Sequence, residues 1–199
     1  MQDPTSRAAR LALDLALTIR HDGHGGVADD LTGTDGLTAW VRAHPDVVPD
    51  AAAYTADAAT LTAVRELRSA LRALFARAVR PAAPSPADAT RLLPVTEALA
   101  RLNAAAARTP TVPVLLWPDD AGPVVRHHPA HGEIEPAALL AQAAVAFLAG
   151  PDRQRLRACH APRCVRYFLK EHPRQEWCEP SCGNRARVAR HHERHKRPA

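Results

Sequence analysis

Lysine is almost missing: the chain of 199 residues has two lysines against 24 arginines. Alanine and proline are abundant alongside, which marks a biased coding composition. A single arginine therefore carries little functional weight here, and only clusters count. Cysteine is absent from the first 158 residues, and all four lie between Cys159 and Cys182. No uncharged run is longer than Pro136–Pro151, which is shorter than the ~20 residues a bilayer span needs. A secretory leader is also not recognisable, because Asp14 interrupts the first apolar stretch and Arg10 sits too close to it. The expectation is a cytoplasmic protein with no membrane partner, whose thiols stay reduced and available to a metal. Walker, GxSxG, HExxH and GxGxxG patterns are all lacking, so no enzyme is expected.

Charge is present but unevenly divided. Residues 153–199 hold 13 Lys+Arg and 4 Asp+Glu, a net of +9, whereas residues 1–152 hold 13 and 17, a net of −4. A basic tail on an acidic body is the electrostatic footprint of a nucleic-acid module. The bland alternative is a solvated charged helix.

The cysteines are spaced as Cys159-x4-Cys164 and Cys178-x3-Cys182, with thirteen residues between the pairs. Two close pairs at that separation suit a tetrahedral all-thiolate Zn2+ site. Each pair can wrap one edge of the metal while the longer gap returns the chain. So short a segment cannot bury a core of its own, and metal would supply much of its folding energy. Two disulfides, or four unrelated core thiols, are the competing readings. His160 and His172 lie in the same segment and could replace a cysteine, but four cysteines already complete the shell, which favours exposed loop histidines. After Cys182, the run RARVARHHERHK has good helix formers and predicts a helix from about Cys182 to Lys196. Cys182 would then bind from the first turn, where the helix dipole favours a thiolate. Val165, Tyr167, Phe168 and Trp177, with a turn at Pro173, suit a short hairpin before it. Knuckle, hairpin and ligand-bearing helix make a treble-clef arrangement.

These residues resemble the CGNR zinc-finger family of bacterial proteins. The resemblance rests on Cys159, Cys164, Trp177, Cys178 and the tetrad Cys182-Gly183-Asn184-Arg185, and covers the last fifth to quarter of the chain. In that family the finger follows an N-terminal ABATE domain, described as a candidate stress-induced transcription regulator, and its positive charge implies DNA as the partner. The stretch RLALDLALTIR resembles the "LDFvNT" opening of that domain, with Leu15 in place of Phe and Leu17-Thr18 in place of Asn-Thr. Leu31, Leu37 and Trp40 are similar to its "D-x-L…L-x-x-W" pattern.

The expected fold is α+β, mainly α: a helical body, residues 1–152, with one β-hairpin, followed by a zinc finger, residues 153–199. Residues 6–20 predict an amphipathic helix with Leu11, Leu15 and Ile19 on one face. Residues 21–33 read as a loop, and 35–43 as a short helix. Thr55 is a candidate cap for a long helix to about residue 80, with Leu61, Val64, Leu67, Leu71, Leu74 and Phe75 buried. Arg65, Arg68, Arg72 and Arg77 fall on its wet side. Ser85-Pro86 opens another helical stretch to about Arg108, bent or restarted at Pro94. Residues 111–117 and 123–128 predict the hairpin. Pro136 opens an apolar helix that ends near Gly150, and its all-round hydrophobicity implies burial at the centre of the body. His21, His24, His127, His128 and His131 are candidates to converge as a second metal or acid–base site, with solvent-exposed loop histidines as the commoner reading. Asp14 is a candidate pocket carboxylate, with a surface or capping role as the alternative.

The functional expectation is a zinc-dependent DNA-binding transcriptional regulator. Arg187, Arg190, His191, Arg194 and His195 recur at 3/4 spacing on one helical face, and Arg185 on the first turn and Lys196 at the end are further candidate contacts. Arginine can read guanine bidentately, and other basic side chains hold phosphate. Arg163, Arg166 and Lys170 add candidate phosphate contacts from the knuckle and hairpin. Arg185 has an alternative role beside the zinc thiolates. Limited specificity from one small finger makes a homodimer an expected arrangement, and a regulator implies a small-molecule effector for the body. Three competitors stand beside this reading: RNA binding through Tyr167, Phe168 and Trp177, a protein-interaction module, and a metal-dependent nuclease using His172.

Overall fold

Ser6 accepts a hydrogen bond from the Ala9 amide and so caps the first helix, α1 (Arg7–Leu17), whose Leu11, Ala12 and Leu15 are buried. The computed structural model describes residues 6–24, 26–45, 47–48, 50–90, 92–132 and 135–196; the side chains of residues 126, 127 and 193–196 lie outside the description. After α1 come β1 (Ile19–His21), β2 (Val27–Asp29), α2 (Thr34–Ala43), α3 (Ala58–Ala78), α4 (Val95–Ala107), β3 (Thr111–Leu116), β4 (Val124–Pro129), α5 (Pro136–Ala149), β5 (Leu156–Ala158), β6 (Tyr167–Leu169) and α6 (Pro180–Lys196). The strands pair in three separate antiparallel hairpins. The mainly helical body with a small cysteine-rich finger is the expected class.

Helix α5 packs against α1, α3 and α4. Its Leu140, Ala141, Ala144 and Phe147 are buried, while Val145 is exposed, so the burial is one-sided. Phe75 of α3 meets the rings of Phe147 and Tyr167 edge-on, at 5.4 Å each. These edge-to-face contacts join α3, α5 and β6 into one core.

Several local expectations need correction. The β1–β2 hairpin takes Ile19 out of the helix expected over 6–20 and occupies much of the loop expected at 21–33, and its tight turn uses Gly23 at φ 90°. Asp22 wraps that turn by accepting from the amides of His24 and Gly26 at 2.7 and 2.9 Å. Asp57, not Thr55, caps α3, accepting from the Thr60 amide at 2.7 Å. Pro86 opens only a short 3-10 turn, Pro86–Asp88, and the helix proper restarts after Pro94. Asp14 is partly exposed and faces His44 at 3.6 Å.

The largest correction concerns α3. Arg68 and Arg72 are 5% and 4% exposed, not on the wet side. Arg68 pairs bidentately with Asp29 at 2.5 and 2.6 Å. Arg72 donates to Asp88 Oδ1 at 2.8 Å and to the Ala16 carbonyl at 2.6 Å. Buried guanidinium groups persist only when their donors are satisfied in this way.

Candidate metal centre and its basic helix

The finger begins as a strand pair that faces two ways. Leu156, Ala158, Tyr167 and Leu169 belong to the hydrophobic core of the body, whereas Phe168 packs with the cysteines. That split follows from the two-residue side-chain period of a strand. Between the strands, the chain makes a knuckle. The Cys159 amide donates to the Arg166 carbonyl and the Cys164 amide to the Ala161 carbonyl, each at 2.9 Å. Arg163 closes the turn in the left-handed region at φ 63°, where non-glycine residues are uncommon. The second pair sits at the start of α6, where the Cys182 amide donates to the Glu179 carbonyl at 3.1 Å.

The four sulfur atoms converge, all within 4.8 Å of one another. Cys164 Sγ lies 3.7 Å from Cys178 Sγ, which lies 3.4 Å from Cys182 Sγ. Tetrahedral zinc with bonds of about 2.3 Å separates its sulfurs by about 3.8 Å. The observed spacing fits that polyhedron, and sulfurs this far apart are not disulfide-bonded. The four cysteines are free thiols, three of them buried. Donor type, number and spacing all suit Zn2+. The close sulfurs set two of the thiols apart: S–H donation from Cys164 pulls Cys159 down, while contacts with Cys159 and Cys164 push Cys178 up. Full ionisation of all four needs the charge of a dication.

The tetrad Cys182-Gly183-Asn184-Arg185 divides the work around the sulfurs. Arg185 Nη2 donates to Cys182 Sγ at 2.9 Å. A Cβ on Gly183 would stand 3.1 Å from Trp177 Cδ1, so glycine lets the indole cover the thiolates. Asn184 Oδ1 accepts from Arg187.

The other basic candidates are dispersed. Arg187 and Arg190 are exposed on α6, and Arg190 Nε reaches the Ala186 carbonyl at 3.4 Å. The backbone of Arg194 and Lys196 is helical, but their side chains lie outside the described residues. Arg163 is exposed, Lys170 half-buried, and Arg166 is ion-paired with Glu179. His160 and His172 are exposed, and among the described residues neither joins the cysteine group. Of the histidine cluster, His127 has its side chain outside the described residues, and the others form no converging donor set among them.

One feature has no signal in the sequence. Ser85 Oγ donates to the Val165 carbonyl at 2.7 Å, and Tyr167 donates to Asp88 Oδ2 at 2.7 Å. Arg72 joins both, pairing with Asp88 and reaching the Val165 carbonyl at 3.4 Å. Burial, and then the Asp88 charge, push the Tyr167 phenol up, which keeps it a donor. These contacts fasten the strand β6 and the end of the knuckle to the body.

A search of the curated proteins finds no match to the chain. Two family models do match. Residues 155–195 match the CGNR zinc finger. Residues 9–151, more than half of the chain, match ABATE, described as "Putative stress-induced transcription regulator". With the thiol geometry and both matches in hand, the chain belongs to the ABATE family and ends in a zinc-binding CGNR finger.

Proposed function

We propose that the chain is a cytoplasmic, non-enzymatic transcriptional regulator that binds DNA through α6 when zinc is held by Cys159, Cys164, Cys178 and Cys182. Residues 1–152 act as the regulatory body and residues 153–199 as the DNA-binding unit. The observation that carries this is the position of Cys182. It anchors the first turn of α6 to the metal centre while Arg187 and Arg190 stand exposed further along the same helix. Zinc supplies a rigid crosslink there; the charge that meets phosphate comes from the arginines. The net of +9 in residues 153–199 supports a polyanionic partner, with most affinity electrostatic. Arg163 and Lys170 extend the basic surface toward the knuckle and hairpin. Arg166 and Arg185 are engaged with Glu179 and Cys182 and serve the finger's own structure.

The aromatic residues speak against RNA stacking. Tyr167 and Phe168 are buried, and Trp177 packs on the cysteines, so none offers an open face to a base. Among the described residues, the depression on the body does not favour a small-molecule input. A depression of about 240 Å³, lined by Thr62, Arg65, Glu66, Ser69 and Arg101, is open to solvent, and it is smaller than the ~300–1,000 Å³ of ordinary ligand sites.

An electrophoretic shift with duplex DNA at moderate salt tests the reading. Retardation that fades as salt rises is expected. Capture of protein partners without any shift of DNA would favour the protein-interaction module.

A further inference from the structure

The β3–β4 hairpin is the least covered part of the body. Beyond pairing with each other, its strands make only sparse contacts with other elements. Leu115 lies opposite Val125 in the ladder, and Trp117 follows two residues on. These three are 63%, 59% and 71% exposed, the largest values among the exposed bulky apolar residues. Pro113, two residues before Leu115 on the same strand face, is exposed as well. An isolated two-stranded hairpin is marginal in water and needs a further layer. An apolar face this continuous marks an interaction surface.

We infer that the Pro113–Leu115–Trp117–Val125 face is a homodimer interface, covered by the same face of a second copy. Area supports this occupant. Fully covered, the four residues offer roughly 500 Å² per copy, or about 1,000 Å² when two copies meet, which is the threshold for a biological interface and the size of a weak, reversible dimer. Chemistry supports it too. The four side chains carry no charge, and the register adds one titratable residue to that face, His127 opposite Pro113 at its far end from Trp117, so the Leu115–Trp117–Val125 centre can meet itself without burying an unpaired ion. An isologous two-fold contact gives each hairpin the layer it lacks and closes without leaving a free copy of the patch. Asp119 and Asp120, in the connecting loop, are exposed and suit the solvated rim of such an interface. The inference does not depend on DNA binding.

Sedimentation equilibrium of the full zinc-loaded chain, from about 1 to 100 µM, reads the result directly. A dimer is expected. Leu115→Glu should weaken it by at least about a hundredfold, with an unchanged far-UV spectrum. Dilution of the wild type should also shift Trp117 emission to the red, a readout that does not need the variant to fold. A wild-type chain that stays monomeric across the range overturns the inference. So does a folded Leu115→Glu variant that dimerises as tightly as the wild type, since the interface would then lie elsewhere. A complex formed only with a different protein gives the face to another occupant and also overturns it.

Discussion

Tyr167 donates a 2.7 Å hydrogen bond to Asp88 across the seam between the metal centre and the helical body. Both residues are buried, and Asp88 is also held by Arg72. The finger therefore rests on an ionic anchor, and its orientation is set by α3 and by the turn after it. Helix α6, which follows β6 in the finger, is referenced to the body through that strand.

Tyr167→Phe keeps the ring in the core and deletes only the hydroxyl. It should lower stability by about 1–3 kcal/mol, because Asp88 loses a buried donor. Urea unfolding of the zinc-loaded protein checks this, and zinc content should stay unchanged.

Acid should loosen the half-buried Arg68–Asp29 pair. Burial opposes ionisation of Asp29, but its hydrogen bonds from Arg68 win and hold the carboxyl below its ordinary value of 3.8. A depressed folded value means that the stabilisation is present above about pH 3.8 and is lost as pH falls through the folded value. Stability of the wild type should fall on the acid side, and Asp29→Asn should remove part of that fall. Equal acid slopes in the two proteins would detach Asp29 from the effect.

The site was more legible than its setting. Four thiols at two short spacings suit zinc in a reducing compartment, because the ligands are local in pairs. The apolar run after Pro136 and the restart at Pro94 are local signals too, and the structure follows both. Arg68 and Arg72 were not legible. Their helical phase puts them beside the charged face, and their partners Asp29 and Asp88 lie 39 and 16 residues away. Nothing within one helical turn distinguishes a buried arginine from a solvated one. The three-residue strands β1 and β2 escaped for a related reason: they are too short to show a period.

Arg185 should tune the metal rather than define the fold. Arg185→Met removes the donor to Cys182 and should weaken zinc binding by about 10–100-fold. Competition with a chromophoric chelator measures it, and Arg185→Lys should recover part of the loss. An unchanged zinc affinity would return Arg185 to the list of groups free to meet DNA.

Arg187 and Arg190 carry the proposed nucleic-acid face. Replacing both with Ala should reduce DNA affinity and lower the salt slope by about one per lost phosphate contact. Zinc content should not change. Unaltered affinity would mean that α6 faces elsewhere.

The most direct measurement is a titration of duplex DNA by fluorescence anisotropy, at several salt concentrations, with zinc-loaded protein and with protein stripped of metal. Tight, salt-sensitive binding by the loaded form, lost on chelation and restored by added zinc, is the predicted result. Equal binding by both forms, or no binding by the loaded form at low salt, would contradict the claim that the metal centre aims a basic helix at DNA.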